Sequence, residues 1–290
     1  MDLRTVNQYV SGNIAQFAPP VCFELIGQTF DFVMDDGMDY KLRFIDKTTL
    51  EWSIDGGETR TASDYLCAKA DDTTYLVSYE LGDTPRANHT FVIDLENYLV
   101  TRIFSQVGEN KRLPYFISQR YEFGAILREG FELPFVRHGF TSDMIGNIVQ
   151  WNYGGMETVH VYHCAHYYRI TYPPEQEGSR VFNEALAKLP SSDEPTAYIK
   201  IKDGLYLFSL TEANMERVVG DAMPFRSNTM CFLQDYRRMR LIGRAFGTTT
   251  YDGVDNALHL TFGAFGKLLD PDNVKDYIKK LLTDPNPFIV

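Results

Sequence analysis

The stretch Val159–Ile170, VHVYHCAHYYRI, holds three of the chain's six histidines, at positions 160, 163 and 166. Imidazole can ligate a metal or move protons near neutral pH, so its spacing matters. On one straight strand, at about 3.3 Å per residue, His160 and His166 share a face but stand roughly 20 Å apart, and His163 points the other way. With a turn near Cys164–Ala165, His163 and His166 become cross-strand neighbours that offer, with Cys164, an incomplete zinc set, since zinc wants three or four protein ligands. The reading adopted is that no metal is bound, that His160 and Tyr162 line a cavity, and that His163 and His166 sit at its rim.

The elements that must position these residues occur twice. IGQTFDFVMDDGMDYKLRFIDKTTLEW, from Ile26, resembles IGNIVQWNYGGMETVHVYHCAHYYRI, from Ile145. Each alternates apolar and polar residues, turns at Gly-Met-Asp or Gly-Met-Glu, and alternates again, which is the mark of a β-hairpin. Phe30, Phe32 and Met34 match Val149, Trp151 and Tyr153. Downstream, Tyr75 matches Tyr206, Ser78 matches Ser209, and Asp94 matches Asp235 at a hairpin tip. Each copy is a meander of short strands, the pattern of an up-and-down barrel with room for one small ligand. The stretch VGENKRLPYFISQRYEFGAILREGFELPFVRHGF between the copies completes the first barrel and crosses over. Near the C-terminus, Asp270 caps a helix with Pro271 in its first turn and Val274, Tyr277, Ile278, Leu281 and Leu282 on one face; Pro285 ends it, and a barrel wall or mouth receives it. The expected fold is all-β: two tandem antiparallel barrels, residues 1–135 and 136–290, with the C-terminal helix in the second.

The repeat is also a control. Tyr40, Leu42 and Phe44 face inward in copy one; Thr158, His160 and Tyr162 take their places in copy two. Leu50 becomes Tyr168. Tyr75, Val77, Tyr79 and Leu81 become Tyr206, Phe208, Leu210 and Glu212. Copy one reads as aromatic core, whereas copy two gains a histidine, a glutamate and phenols. Burying such groups unpaired costs about 1–3 kcal/mol each, so they are expected to be paired or wet, and a wet aromatic cavity is a ligand site. Ser78 and Ser209 fall on the water-facing parity, which argues against a serine triad. Arg244, at a strand end, is within reach of a ligand carboxylate or is simply solvated. Copy two also carries an insertion, Thr171–Pro195, whose VFNEALAKL forms a short helix, either a lid or a plain connection.

The motifs GQTFDFVMDDGMDYKLRF, YEFGAI, RHGFTSDMIGNIVQWNY, HVYHCAHYYRI and GLYLFSLTE resemble those of the molybdenum cofactor biosynthesis protein F family. The resemblance covers nearly the whole chain and implies two calycin-like (lipocalin-like) barrels in tandem and a link to molybdopterin metabolism. Similar calycin barrels include phenolic acid decarboxylases and two-barrel cyclases, which work without metal or organic cofactor. Fold likeness alone does not choose among them.

The functional expectation is a cofactor-independent lyase or isomerase acting on a small aromatic or conjugated metabolite in the second barrel. His160 is the general acid/base, Glu212 its partner or a second base, and Tyr162 or Tyr153 donates to developing negative charge. Trp151 and Phe208 stack on the substrate; Tyr168 and Arg244 complete the binding set. The alternatives are a non-catalytic barrel that holds a small metabolite such as a pterin, and a filled scaffold that contacts a partner protein. The net charge of −11 argues against nucleic acid and anionic membrane as partners. No stretch approaches the roughly 20 apolar residues that span a bilayer, and MDLRTVNQYV has no apolar core of a signal peptide. Cys22, Cys67, Cys164 and Cys231 are widely spaced and read as reduced, mostly buried thiols of a cytoplasmic protein. The sequence does not fix the oligomeric state; a homodimer is compatible with it.

Overall fold

The computed structural model describes residues 16–84, 86–109, 111–112, 116–154, 156–173, 191–213, 225–251 and 254–283, with backbone alone at 225–227, 249–251, 254–256 and 281. The chain divides into two compact units, Pro19–Gly139 and Phe140–Val290 with Met1–Ala18. Phe17 belongs with the second, its ring edge-on to Phe265 at 5.1 Å between centroids.

The N-terminal unit is a sheet of nine strands: β1 (Thr29–Met34), β2 (Asp39–Phe44), β3 (Thr49–Ile54), β4 (Arg60–Ser63), β5 (Leu66–Lys69), β6 (Thr74–Glu80), β7 (Ala87–Asp94), β8 (Leu99–Val107) and β9 (Ile117–Ile126). They run β4-β3-β2-β1-β9-β8-β7-β6-β5, all neighbours antiparallel. Alternation sets the faces: in β2, Tyr40, Leu42 and Phe44 are buried while Lys41 and Arg43 are exposed. As the sequence suggested, β9 completes this sheet by pairing with both β1 and β8.

The C-terminal unit repeats the plan with β10 (Gly139–Phe140), β11 (Ile148–Asn152), β12 (Glu157–Val161), β13 (Tyr167–Thr171), β14 (Ser192–Lys202), β15 (Leu205–Thr211), β16 (Phe225–Asp235), β17 (Arg240–Tyr251) and β18 (Val254–Leu269). The order is β10-β14-β13-β12-β11-β18-β17-β16-β15, and β14 pairs with β15 as well, which closes a barrel. The long β14 does the work that β4 and β5 share in the first unit, where the chain breaks at Asp64 with a φ of 57°.

The register confirms the repeat. Phe30 faces Leu42 and Phe32 faces Tyr40, as Val149 faces His160 and Trp151 faces Thr158. Asp94 and Asp235 end β7 and β16, and each accepts backbone N–H bonds from the following turn. Tyr98 and Met239, which close those turns, are both left-handed. The molecule is therefore all-β with tandem barrel-type units.

Three expectations change. The C-terminal helix starts late: Asp270 caps a 3-10 turn, Pro271–Asn273, and the α-helix, α1, spans Asp276–Thr283. Val274 and Ile278 pack on Ile148, Val159 and Val161, so α1 lies on the outside of β11 and β12; Leu282 is exposed, the side chain of Leu281 is not among those described, and Pro285 lies outside the described residues. Ser78 and Ser209 do face outward, but both are buried: Ser78 bonds Asn88 and Thr90, and Ser209 meets Cys231. The inner wall of the N-terminal unit is not purely aromatic, because His89 and Arg102 point into it beside Tyr79 and Tyr40. The expected helix VFNEALAKL lies outside the described residues.

Candidate functional site

One end of the C-terminal barrel is hollow. The empty space measures about 460 Å³, counting the part open to solvent, and is lined by Tyr153, Met156, Thr158, His160, Tyr168, Ile170, Tyr172, Leu210, Glu212, Met230, Phe232 and Phe262. These come from β12, β13, β15, β16 and β18 and from the residues that follow β11, β13 and β15, so period-two alternation on neighbouring strands aims them at one space. His160, Glu212, Tyr153 and Tyr168 thus meet here.

His160 is 2% exposed. Its Nε2 lies 3.1 Å from the Thr158 hydroxyl and its Nδ1 3.4 Å from the Tyr162 hydroxyl. Tyr162 gives its hydrogen to Gln234 Oε1 at 3.0 Å and accepts from Trp151 Nε1–H at 3.2 Å. A phenol has one hydrogen to give, so His160 carries its proton on Nδ1 and leaves Nε2 to accept from Thr158. Burial lowers the imidazole pKa to about 3, so the ring is neutral at pH 7.

Glu212 sits across the cavity. Its Oε2 accepts from Asn228 Nδ2 at 3.1 Å, the one side-chain bond to its carboxyl among the described residues. Burial raises its pKa to about 7, with Asn228 opposing. Burial also raises the pKa values of Tyr168, Tyr172 and Tyr153, and the Glu212 charge adds to each rise. The Tyr168 hydroxyl, fully buried, has no hydrogen-bond partner among the described residues. Sequence reasoning missed Glu194. It is buried opposite Tyr168 across β13–β14, and its charge also bears on Tyr168 and Tyr172. Its parity with Tyr198 was the available signal.

Three expected ligand contacts lie behind the cavity wall. Tyr162 is held by Gln234, Trp151 and His160, so it orients the histidine. Trp151 lies flat on Gly266, its partner across β11–β18; a Cβ there would come within 2.5 Å of the indole. Phe208 is clasped among Tyr198, Phe232, Tyr162 and Tyr168. Arg244 is neither solvated nor in the cavity. It has the parity opposite to Leu241 and Ala245, is 0% exposed, and donates to the Thr229 carbonyl at 3.0 Å.

The chain does turn at residues 163–166, and His163 and His166 are exposed there. His163 Nε2 approaches Asp193 Oδ1 at 3.3 Å, while Arg169 grips both oxygens of that carboxylate. Cys164 meets the Tyr167 carbonyl at 3.6 Å. No group of three or more His, Cys, Asp or Glu among the described residues is placed to hold a metal.

Fold and site together define a tandem calycin-type barrel protein with a polar, aromatic cavity in its second barrel. Residues 4–109 match the family model of the MoaF N-terminal domain. That match supports the resemblance to the molybdenum cofactor biosynthesis protein F family that the motifs carry. No curated protein matches the chain. Among solved structures, the "Crystal Structure of a putative beta-lactamase from Burkholderia vietnamiensis" aligns over 38% of this chain and 96% of its own, with 17% identity and a TM-score of 0.29. That likeness carries no argument about activity. No helix among the described residues is long and apolar enough to cross a membrane.

Proposed function

We propose that the C-terminal barrel binds a small aromatic or conjugated metabolite and acts on it as a cofactor-independent lyase or isomerase. The observation that carries this reading is Glu212: a carboxyl on the cavity wall, with one side-chain hydrogen bond and a pKa near 7. A group at that pKa both takes and gives a proton at neutral pH, which acid–base catalysis requires. Glu212 is then the acid–base residue. His160, neutral and held by Thr158 and Tyr162, contributes an oriented aromatic face to the cavity wall. The Tyr168 hydroxyl donates to a ligand oxygen on which charge develops. The aromatic lining favours a flat ligand.

A second reading, binding without turnover of a metabolite such as a pterin, is favoured by one observation: both ring nitrogens of His160 already have protein partners. The family name supports the pterin. The charge of −11 supports a partner that is neither nucleic acid nor anionic membrane, and four free cysteines support a cytoplasmic setting.

The test is a panel of conjugated aromatic carbonyl and pterin compounds, followed by calorimetry for binding and by ultraviolet absorbance for turnover. The lyase/isomerase reading expects turnover that Glu212→Gln removes while binding persists. Binding without spectral change in the unaltered protein would leave the carrier reading standing. No binding at all would overturn both.

A further inference from the structure

The polar cluster of the N-terminal barrel has no part in the function proposed above. Register puts it at the end equivalent to the cavity of the other barrel. Tyr79 stands where Leu210 does, His89 where Met230 does, and Tyr40 where Thr158 does. Arg102 stands where Gly243 does. In the C-terminal barrel a Cβ at Gly243 would come within 2.2 Å of the Cys231 carbonyl, so no side chain fits there.

Arg102 donates from Nη2 to His89 Nε2 at 2.8 Å and from Nη1 to Glu122. A guanidinium only donates, so His89 Nε2 is bare and its proton is on Nδ1, from which it donates to the Tyr79 hydroxyl at 3.1 Å. Burial, with the charges of Arg102 and Arg60, keeps this histidine neutral. The remaining charges face each other in pairs: Arg102 with Glu122, Arg60 with Asp83, Arg120 with Glu109.

Two donor atoms are left over. Arg102 Nε–H and Tyr40 O–H are buried without an acceptor among the described residues, on residues 5% and 2% exposed. The guanidinium packs on the ring that carries the second donor: its carbon lies 4.7 Å from the Tyr40 centroid and 5.5 Å from that of Phe104. Trp52 adds a second aromatic wall, 5.3 Å from His89 and 5.8 Å from Tyr79 between centroids. Buried donors that lack acceptors are costly, and a guanidinium beside aromatic faces suits a carboxylate carried on a flat ring. We propose that this end of the N-terminal barrel is a second ligand site, for a small planar carboxylate whose oxygens accept from Arg102 Nε and the Tyr40 hydroxyl. Glu122, with 17% of its side chain exposed against 6% for Arg102, is the group that swings aside on entry.

The chain's two tryptophans, Trp52 and Trp151, fall one in each barrel. Protein labelled with 5-fluorotryptophan therefore gives one fluorine resonance per barrel, and benzoate is the probe. Benzoate is expected to shift the Trp52 line saturably and benzamide to bind at least tenfold more weakly. Tyr40→Phe is expected to weaken benzoate about fivefold, the value of one hydrogen bond, without lowering the melting temperature. Glu122→Gln, which removes the competing carboxylate, is expected to tighten it. A Trp52 line that millimolar benzoate leaves unmoved overturns the proposal, as does a shift that is identical in Tyr40→Phe. Movement of the Trp151 line alone would also overturn it, while supporting a ligand site in the other barrel.

Discussion

Leu42 and His160 occupy the same place in their two barrels: Phe30 faces the one across β1–β2 as Val149 faces the other across β11–β12. Leu42 is 0% exposed and belongs to the buried core cluster of its barrel. His160 has Thr158 and Tyr162 as polar partners and a cavity beside it. The same backbone position is thus dry packing in one unit and cavity wall in the other.

Exchange at this position is expected to be asymmetric. His160→Leu leaves Tyr162 with Gln234 and Trp151, so stability at pH 7 should change by less than about 1 kcal/mol. Leu42→His buries an imidazole without partners and should cost about 3 kcal/mol. Urea denaturation of both variants measures this. Ligand binding or turnover should fall in His160→Leu; unfolding of that variant with function per folded molecule unchanged would make His160 structural.

Acid stability should report the same residue. The folded-state pKa of His160 is depressed from 6.5 to about 3, so the unfolded chain binds the extra proton. Stability is therefore lost as pH falls from about 6.5 toward about 3. His160→Leu should make this limb shallower in thermal melts; His89, buried and neutral, keeps part of it.

Glu212 gives the opposite slope. Its pKa is raised from 4.5 to about 7, so the folded protein keeps a proton that the unfolded chain releases. Stability should fall as pH rises from about 4.5 to about 7 and then level off, by about 3 kcal/mol in all. Glu212→Gln should flatten that slope, raising the melting temperature near pH 8 and changing it little near pH 4. An unchanged slope would mean that the carboxyl is solvated.

Across β13–β14, Asp193 is buried and Arg169 holds both its oxygens, with His163 of the β12–β13 turn at the open side. Arg169→Ala should cost about 3–5 kcal/mol by leaving a buried carboxylate without its cation. His163→Ala should cost less than about 0.5 kcal/mol and should leave the metal content of purified protein, by elemental analysis, unchanged.

The sequence by itself determined what is local and periodic. Alternation in DYKLRF and ETVHV, and the Gly-Met turns between strands, set which side chains point inward. From that followed the repeat, the equivalence of Leu42 with His160 and of Leu81 with Glu212, and the barrel class. Only the tertiary structure decided what depends on strands far apart in the chain. Closure of the second barrel needs β14 to pair with β15 as well as β13. The burial of Ser209 and Arg244 depends on what covers the outside of a strand, which alternation cannot tell, because it separates two faces without saying which of them meets water. The cluster of His89, Arg102 and Glu122 joins three strands: Glu122 stands opposite Arg102 across β8–β9, and His89 reaches Arg102 diagonally across β7–β8. Each of these residues alone looks like an ordinary polar residue of a strand; pairing across strands makes them one site.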